Sequence, residues 1–321
     1  MATYSTPNRH GYSVRFSPFR PEHLAVAASQ YFGLAGGGTL FILEIAADRK
    51  RLVELQNFHW TDGLFDCVWS ENDPMLVVTA SGDGSLQLWN LSTPTLPPCI
   101  LHEHKKEVYS VDWSQTRQEQ LVLSASWDRT IKVWDPHRKV SLNTYIGHSQ
   151  LVYNAMWSPH IPNCFASVSG DGSLRIWNAL NPQNASALCK AHDAEVLSCD
   201  WCKYDQNILA TGGSDGLIKG WDLRNFSQPI FYLKGCEYAV RRVQFSPHTL
   251  SMLASVSYDF TTRIWDFKHS SDALETIQHH SEFVYGLDWN THKKGELADC
   301  GWDSLVHVYT PQSVKSFYNK L

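Results

Sequence analysis

Four histidines, His104, His148, His192 and His280, recur at 44 residues or a multiple of it, and each has an aspartate 23 or 24 residues downstream: Asp128, Asp171, Asp215 and Asp303. A histidine held by a carboxylate can serve general acid–base catalysis or, with further ligands, a metal. Cys199-Asp-Trp-Cys202 has the spacing of a zinc or redox pair, and His279-His280 adds a neighbour to one of the repeated histidines. Neither chemistry is completed. No second cysteine pair follows at zinc-site distance, and thiols so spaced on a strand point to opposite or poorly matched sides. There is no Gly-rich phosphate loop, nucleophile elbow or HExxH. Gly36 to Gly38 read as a turn. The histidines are better read as staples: an aspartate caps a tight turn and accepts from the histidine, which links onward to a strand hydroxyl and an indole N–H. In one unit the chain would run Asp128, His104, Ser124, Trp134, a satisfied polar network that stiffens its surroundings. The expectation is a protein that is not an enzyme and has no cofactor and no metal.

The elements that position these residues repeat. Trp69, Trp113, Trp157, Trp201, Phe245 and Trp289 each end a short apolar strand, with every gap 44 residues. Trp89, Trp134, Trp177, Trp221, Trp265 and Tyr309 follow about 20 residues later, each with an aspartate six residues before it. Between them lie segments such as Leu121-Val-Leu-Ser-Ala-Ser and Thr130-Ile-Lys-Val-Trp134, the latter alternating as a half-buried strand should. Four short strands in 44 residues make one blade of an all-β, WD40-type propeller.

Six repeats begin near His59, Glu103, Gly147, Ala191, Gly235 and His279. A degenerate first blade, about residues 10–57 with an insertion around Gly33 to Gly38, brings the count to seven in one domain, blades two to seven occupying about 58–321. Blade six has Cys236 where the histidine belongs and blade two has Trp60, so looser packing is expected there. Ring closure has two candidates, an outer strand from Pro311 to Leu321 or one from Thr3 to Thr6.

Composition narrows the function. A net charge of −5 and a pI near 6.3 give no long-range attraction for nucleic acid. The N-terminus has no apolar stretch suited to a signal peptide, and the best apolar run, Leu40 to Ala47, is broken by Glu44. Eight scattered cysteines read as free thiols in a reducing compartment. These features together imply a soluble intracellular protein with no membrane insertion.

Function must then come from surface. Four residues before each strand-ending aromatic stand Tyr12, Phe65, Tyr109, Tyr153, Leu197, Arg241 and Tyr285, and two further back stand residues including Glu107, Glu195 and Phe283. Trp127, Tyr258 and Trp302 precede their aspartates. All are expected at one end of the propeller, where aromatics either fill the narrow channel or form a binding cup. The loops entering that end carry Asp62, Glu103, Glu107, Asp193, Glu195, Glu237 and Glu282 against Lys105 and Lys106. An aromatic, acidic cup suits an amphipathic helix with a basic residue.

Several blocks go beyond the generic repeat: His10-Gly-Tyr12, Asp62-Gly-Leu-Phe-Asp66, Glu107-Val-Tyr-Ser-Val-Asp-Trp-Ser-Gln-Thr-Arg117, Trp157-Ser-Pro-His-Ile-Pro162, Ser198-Cys-Asp-Trp-Cys-Lys-Tyr204, Gly220-Trp-Asp-Leu-Arg-Asn225 and Tyr258-Asp-Phe260. In these the chain resembles the receptor family for the type 2 peroxisomal targeting signal, from about His10 to Tyr309. The resemblance implies binding of peroxisomal matrix proteins such as thiolase through an N-terminal nonapeptide. Its pattern is a basic then an aliphatic residue, five variable residues, then His or Gln followed by Leu or Ala.

The resemblance also implies a co-receptor, either the long form of the type 1 signal receptor or a dedicated peroxin, together with a peroxisomal docking complex and shuttling between cytosol and peroxisome matrix. The first and eighth signal residues share a helical face, as do the second and ninth. On position, Glu107 and Glu195 would meet the basic residue. Tyr109, Tyr153, Trp127, Phe283 and Tyr285 would take its apolar side or that of the co-receptor. Leu197, Tyr258, Trp302, Phe65 and Asp62 complete the expected site. The C-terminal Asn319-Lys320-Leu321 is similar to a type 1 address, with Asn as a departure, and is read as coincidence. A generic adaptor for extended basic tails is the competing function.

Overall fold

The computed structural model describes residues 1–116 and 120–319. Arg117, which ends one quoted block, and Lys320 and Leu321 of the C-terminal tripeptide lie outside the described residues. Seven four-stranded antiparallel sheets are arranged as the blades of a β-propeller. Six of them are meanders of consecutive strands. The seventh takes its outer strand from the other end of the chain: Ala2–Ser5 pairs antiparallel with Leu305–Tyr309, in the register Thr3 to His307. Thr3 Oγ1 lies 2.9 Å from His307 Nδ1, and the Thr6 amide donates to Ser304 O at 2.8 Å.

The N-terminal candidate therefore closes the ring. The C-terminal one is corrected: Gln312–Tyr318 is helix, begun after Pro311, which suits the entry to a helix but not a ladder position. Its first amides, Gln312 N and Ser313 N, are capped by the carboxylate of Glu275 from the outer strand of blade six.

Each blade buries both faces against its neighbours. Between blades three and four, Leu123, Ile131, Val133 and Tyr145 meet Val152, Trp157, Phe165 and Trp177, and an equivalent cluster fills every other junction. This explains the tryptophans: a wedge-shaped gap between twisted sheets needs a large side chain per junction, worth roughly 2–3 kcal/mol of burial each. The paired cysteines belong to different junctions, Cys199 between blades four and five and Cys202 between five and six, so they share no site. All eight cysteines are free.

The staples form as expected. His104 Nδ1 lies 2.9 Å from Asp128, its Nε2 lies 2.7 Å from Ser124 Oγ, and Trp134 Nε1 donates to that hydroxyl at 2.8 Å. Blades four and five repeat it through His148–Ser167–Trp177 and His192–Thr211–Trp221. In blades two and six, where looser packing is expected, the turn aspartate keeps a partner. Trp60 Nε1 donates to Asp83 at 2.9 Å, and Arg263 reaches Asp259 at 2.6 Å, so another donor occupies each vacancy. In blade seven Asp299 replaces the hydroxyl, receiving Tyr309 OH, Thr262 Oγ1, His279 and His280. Burial opposes a charged His280, but Asp299 and Asp303 overcome it and push the imidazole up to about 9. Among the described residues no helix is long and apolar enough to cross a membrane.

Candidate functional site

The seven inner strands share one irregularity. Each has a register shift near its start, as at Val108/Ser110, Val152/Asn154, Val196/Ser198 and Val240/Arg242. The same shift occurs at Gly11/Ser13, Leu64/Asp66 and Val284/Gly286. The residue skipped is Tyr12, Phe65, Tyr109, Tyr153, Leu197, Arg241 or Tyr285. A β-bulge leaves one residue out of the ladder and re-aims its side chain. Here it turns one residue per blade into the mouth of the central channel.

Those side chains pack against one another. Tyr12 and Phe65 have ring centroids 5.1 Å apart, Phe65 and Tyr109 5.2 Å, and Tyr109 and Tyr153 5.8 Å. On the other side Tyr12 lies 4.8 Å from Tyr285, which stacks on Trp302 at 4.9 Å and whose hydroxyl accepts from Tyr258 OH at 2.9 Å. Phe283 stacks on Tyr258 at 4.7 Å and Trp127 on Tyr109 at 5.1 Å.

The expected residues thus converge in two tiers. Phe65, Tyr109, Leu197 and Tyr285 are 5, 8, 5 and 4% exposed and form a floor. Trp127, Tyr153, Tyr258, Phe283 and Trp302 are half-buried above it, while Glu195 is exposed and Glu107 and Asp62 are partly so. Tyr153 OH donates to Glu195 at 3.2 Å; burial and that carboxylate push the phenol above its ordinary value. Tyr258 is pushed up to about 12, chiefly by burial. The phenols are therefore neutral donors near pH 7.

The aromatic ring is broken over blades five and six, where Leu197 and Arg241 take aromatic stations and the small Ser214 and Ala239 stand beside them. The gap is a cavity of about 250 Å³ lined by Tyr109, Trp127, Tyr153, Glu195, Leu197, Ser214, Ala239, Arg241 and Tyr258. Beneath it, Arg242 bonds Asp66 across the channel at 3.0 Å, with both residues buried. Burial works against the charge of Asp66, but the Arg242 and Arg15 guanidiniums hold it below the usual carboxylate range.

The blade-one insertion belongs to this mouth and was not assigned a part by sequence. Tyr31–Gly33 forms a single 3₁₀ turn in which Tyr31 and Phe32 both have positive φ, 42° and 56°, uncommon for aromatic residues. Phe32 stacks on His10 at 3.8 Å, and its carbonyl accepts from Tyr12 OH at 2.6 Å. Tyr31, Phe32 and Leu34 are left exposed beside the cup. The only sequence signal was the lengthened first repeat; the turn's direction depends on contacts with blades one and seven.

His279, His280 and His307 bring three ring nitrogens within 4.8 Å of one another. His279 and His280 are engaged by Asp299 and Asp303, and His307 Nδ1 meets Thr3, so these contacts serve ring closure.

The WD domain, G-beta repeat profile matches residues 51–90, 96–135, 139–178, 184–222 and 227–266. Among curated proteins, the chain is similar to the "Peroxisomal targeting signal 2 receptor" of Mus musculus, 54% identical over 165 residues, covering 51% of each chain. The protein of that name in Saccharomyces cerevisiae is 36% identical over 230 residues, covering 62% of this chain and 60% of its own. The "Peroxisome biogenesis protein 7" of Arabidopsis thaliana is 41% identical over 135 residues, covering 41% of this chain and 42% of its own. The matched stretch spans about half the length of the curated relatives that come first. The Mus musculus and Saccharomyces cerevisiae names are those of receptors.

Proposed function

We propose, on the premise that the chain belongs to the WD domain, G-beta repeat family, that it is a receptor for the type 2 peroxisomal targeting signal and takes the signal helix in the propeller mouth. The observation that carries this reading is one mouth combining a tiered aromatic surface with the partly or fully exposed carboxylates Asp62, Glu107 and Glu195. Relatives from Mus musculus and Saccharomyces cerevisiae share the name of a receptor for this signal.

In mechanism, the basic residue of the helix is drawn to Glu195 and Glu107, while its aliphatic face settles on Trp127, Tyr153, Tyr258 and Phe283. Phe65, Tyr109, Leu197 and Tyr285 hold these from below. A co-receptor covers the outward side of the helix, and the exposed Tyr31, Phe32 and Leu34 lie where such a lid would reach. Cargo delivery then follows from shuttling between cytosol and peroxisome through the docking complex.

The test is fluorescence anisotropy of a labelled helical nonapeptide signal, with and without the co-receptor segment. Saturable binding is expected, and either reversal of the peptide's basic residue to Glu or the Glu107→Lys protein should abolish it. A truncated charged contact of this kind costs about 2–5 kcal/mol. Absence of binding even with co-receptor, together with tight binding of an extended Lys-rich peptide, would point instead to an adaptor for basic tails. Normal import of type 2 cargo in cells lacking the protein would also sink the reading.

A further inference from the structure

Arg241 is the one cation among the residues lining the mouth cavity, and it is 2% exposed. Its guanidinium carbon lies 5.0 Å from the ring centroids of both Tyr109 and Tyr285. Its Nε and Nη2 are buried without a hydrogen-bond partner, and among the described residues it makes no ion pair. The adjacent Arg242 is in ion-pair contact with Asp66; Arg241 feels that carboxylate only at longer range and packs on π faces. The indole N–H of Trp127, also lining the cavity, is likewise buried and unpartnered. Buried polar groups are nearly always satisfied, so such atoms beside a cavity call for a missing acceptor. Nε and one Nη of a guanidinium form a planar fork that matches a carboxylate.

We propose that this cavity receives the carboxylate of an acidic side chain from the docked peptide, held by the Nε/Nη2 fork of Arg241 and the Trp127 indole. The proposal rests on the receptor reading above and adds an acid to the basic residue already required. Apolar walls at Leu197 and Ala239 suit the methylenes of a Glu side chain, and the exposed carboxylate of Glu195 at the same cavity disfavours a free anion while favouring a basic neighbour. A helix presenting a base and an acid one turn apart satisfies both.

The experiment places Glu or Gln in turn at each of the five variable positions of the labelled nonapeptide, against wild-type protein, Arg241→Gln and Arg241→Lys. One position should bind about 10-fold more tightly as Glu than as Gln, a difference of about 1.4 kcal/mol. Arg241→Gln should erase that preference and Arg241→Lys, which lacks the fork, should reduce it. A Gln peptide that binds normally while no position shows an Arg241-dependent preference for Glu would overturn the proposal and leave the receptor reading intact. If no peptide binds, Trp fluorescence during titration with N-acetyl-glutamate amide reads the site independently. A saturable response absent in Arg241→Gln and with the glutamine analogue supports it, and no response overturns it. An equal response to inorganic phosphate shows an unselective anion site and overturns the assignment to an acidic side chain.

Discussion

Tyr109 and Asp112 stand three residues apart on the inner strand Val108–Trp113, yet they face opposite ends of the central channel. At the far end each aspartate reaches the backbone of a neighbouring blade: Asp112 accepts from Trp157 N at 2.8 Å, Asp200 from Phe245 N at 2.7 Å and Asp288 from Phe16 N at 2.7 Å. Lys203 and Arg15 add ion pairs to Asp200 and Asp288 at 2.8 and 3.7 Å. At the mouth the corresponding station holds aromatic rings, a cation with no ion pair among the described residues and an indole without an acceptor. The far end ties blade to blade through these carboxylates. Unpartnered buried N–H groups also occur at the far-end cavity, at Arg15 Nε and Trp113 Nε1, so the difference between the two ends lies in their ion pairs.

The sharpest break between the two regions runs between Arg242 and Arg241. Asp66→Ala strands the buried Arg242 and the Val111 amide that Asp66 also accepts at 3.2 Å. Urea unfolding should show a loss of about 3–5 kcal/mol. His104→Ala should cost about 1–3 kcal/mol by removing a partner from Asp128 and Ser124, with peptide affinity unchanged because His104 does not line the cavity. A linked loss of affinity would mean that the staples also shape the mouth.

The far end makes its own pH prediction. Burial raises the Asp112 carboxyl to about 7. The folded state therefore binds a proton that the unfolded chain has released, so this group's contribution is present below about pH 4 and falls away as pH rises to about 7. Asp112→Asn should flatten that part of the pH–stability curve. Smallest of all, Arg241→Met should shift stability by less than about 1 kcal/mol, or raise it, because no partner is left behind. A loss as large as that of Asp66→Ala would show that Arg241 has an architectural counter-charge and remove the contrast.

The 44-residue period made seven blades, the staple residues and the mouth stations legible, because each repeat carries its own strand, turn and cap within a short span of chain. Glu195, Tyr153 and Trp127 could be placed together from spacing alone. That Tyr109 and Tyr285 would be floor while Tyr31 and Phe32 would reach the surface could not, since it depends on how seven bulges converge. Nor could the replacement of a missing histidine by Arg263, which fills its gap from an adjacent strand of the same blade.

Sequence by itself determined the repeat, and with it the fold and the end at which the aromatic and acidic stations gather, because local alternation and turn chemistry are written residue by residue. Tertiary structure alone decided which terminus closes the ring and which of two neighbouring arginines is paired. Those outcomes join residues far apart in the chain, Thr3 with His307 and Asp66 with Arg242, whose contact is set by the closure of the circle and not by any local pattern.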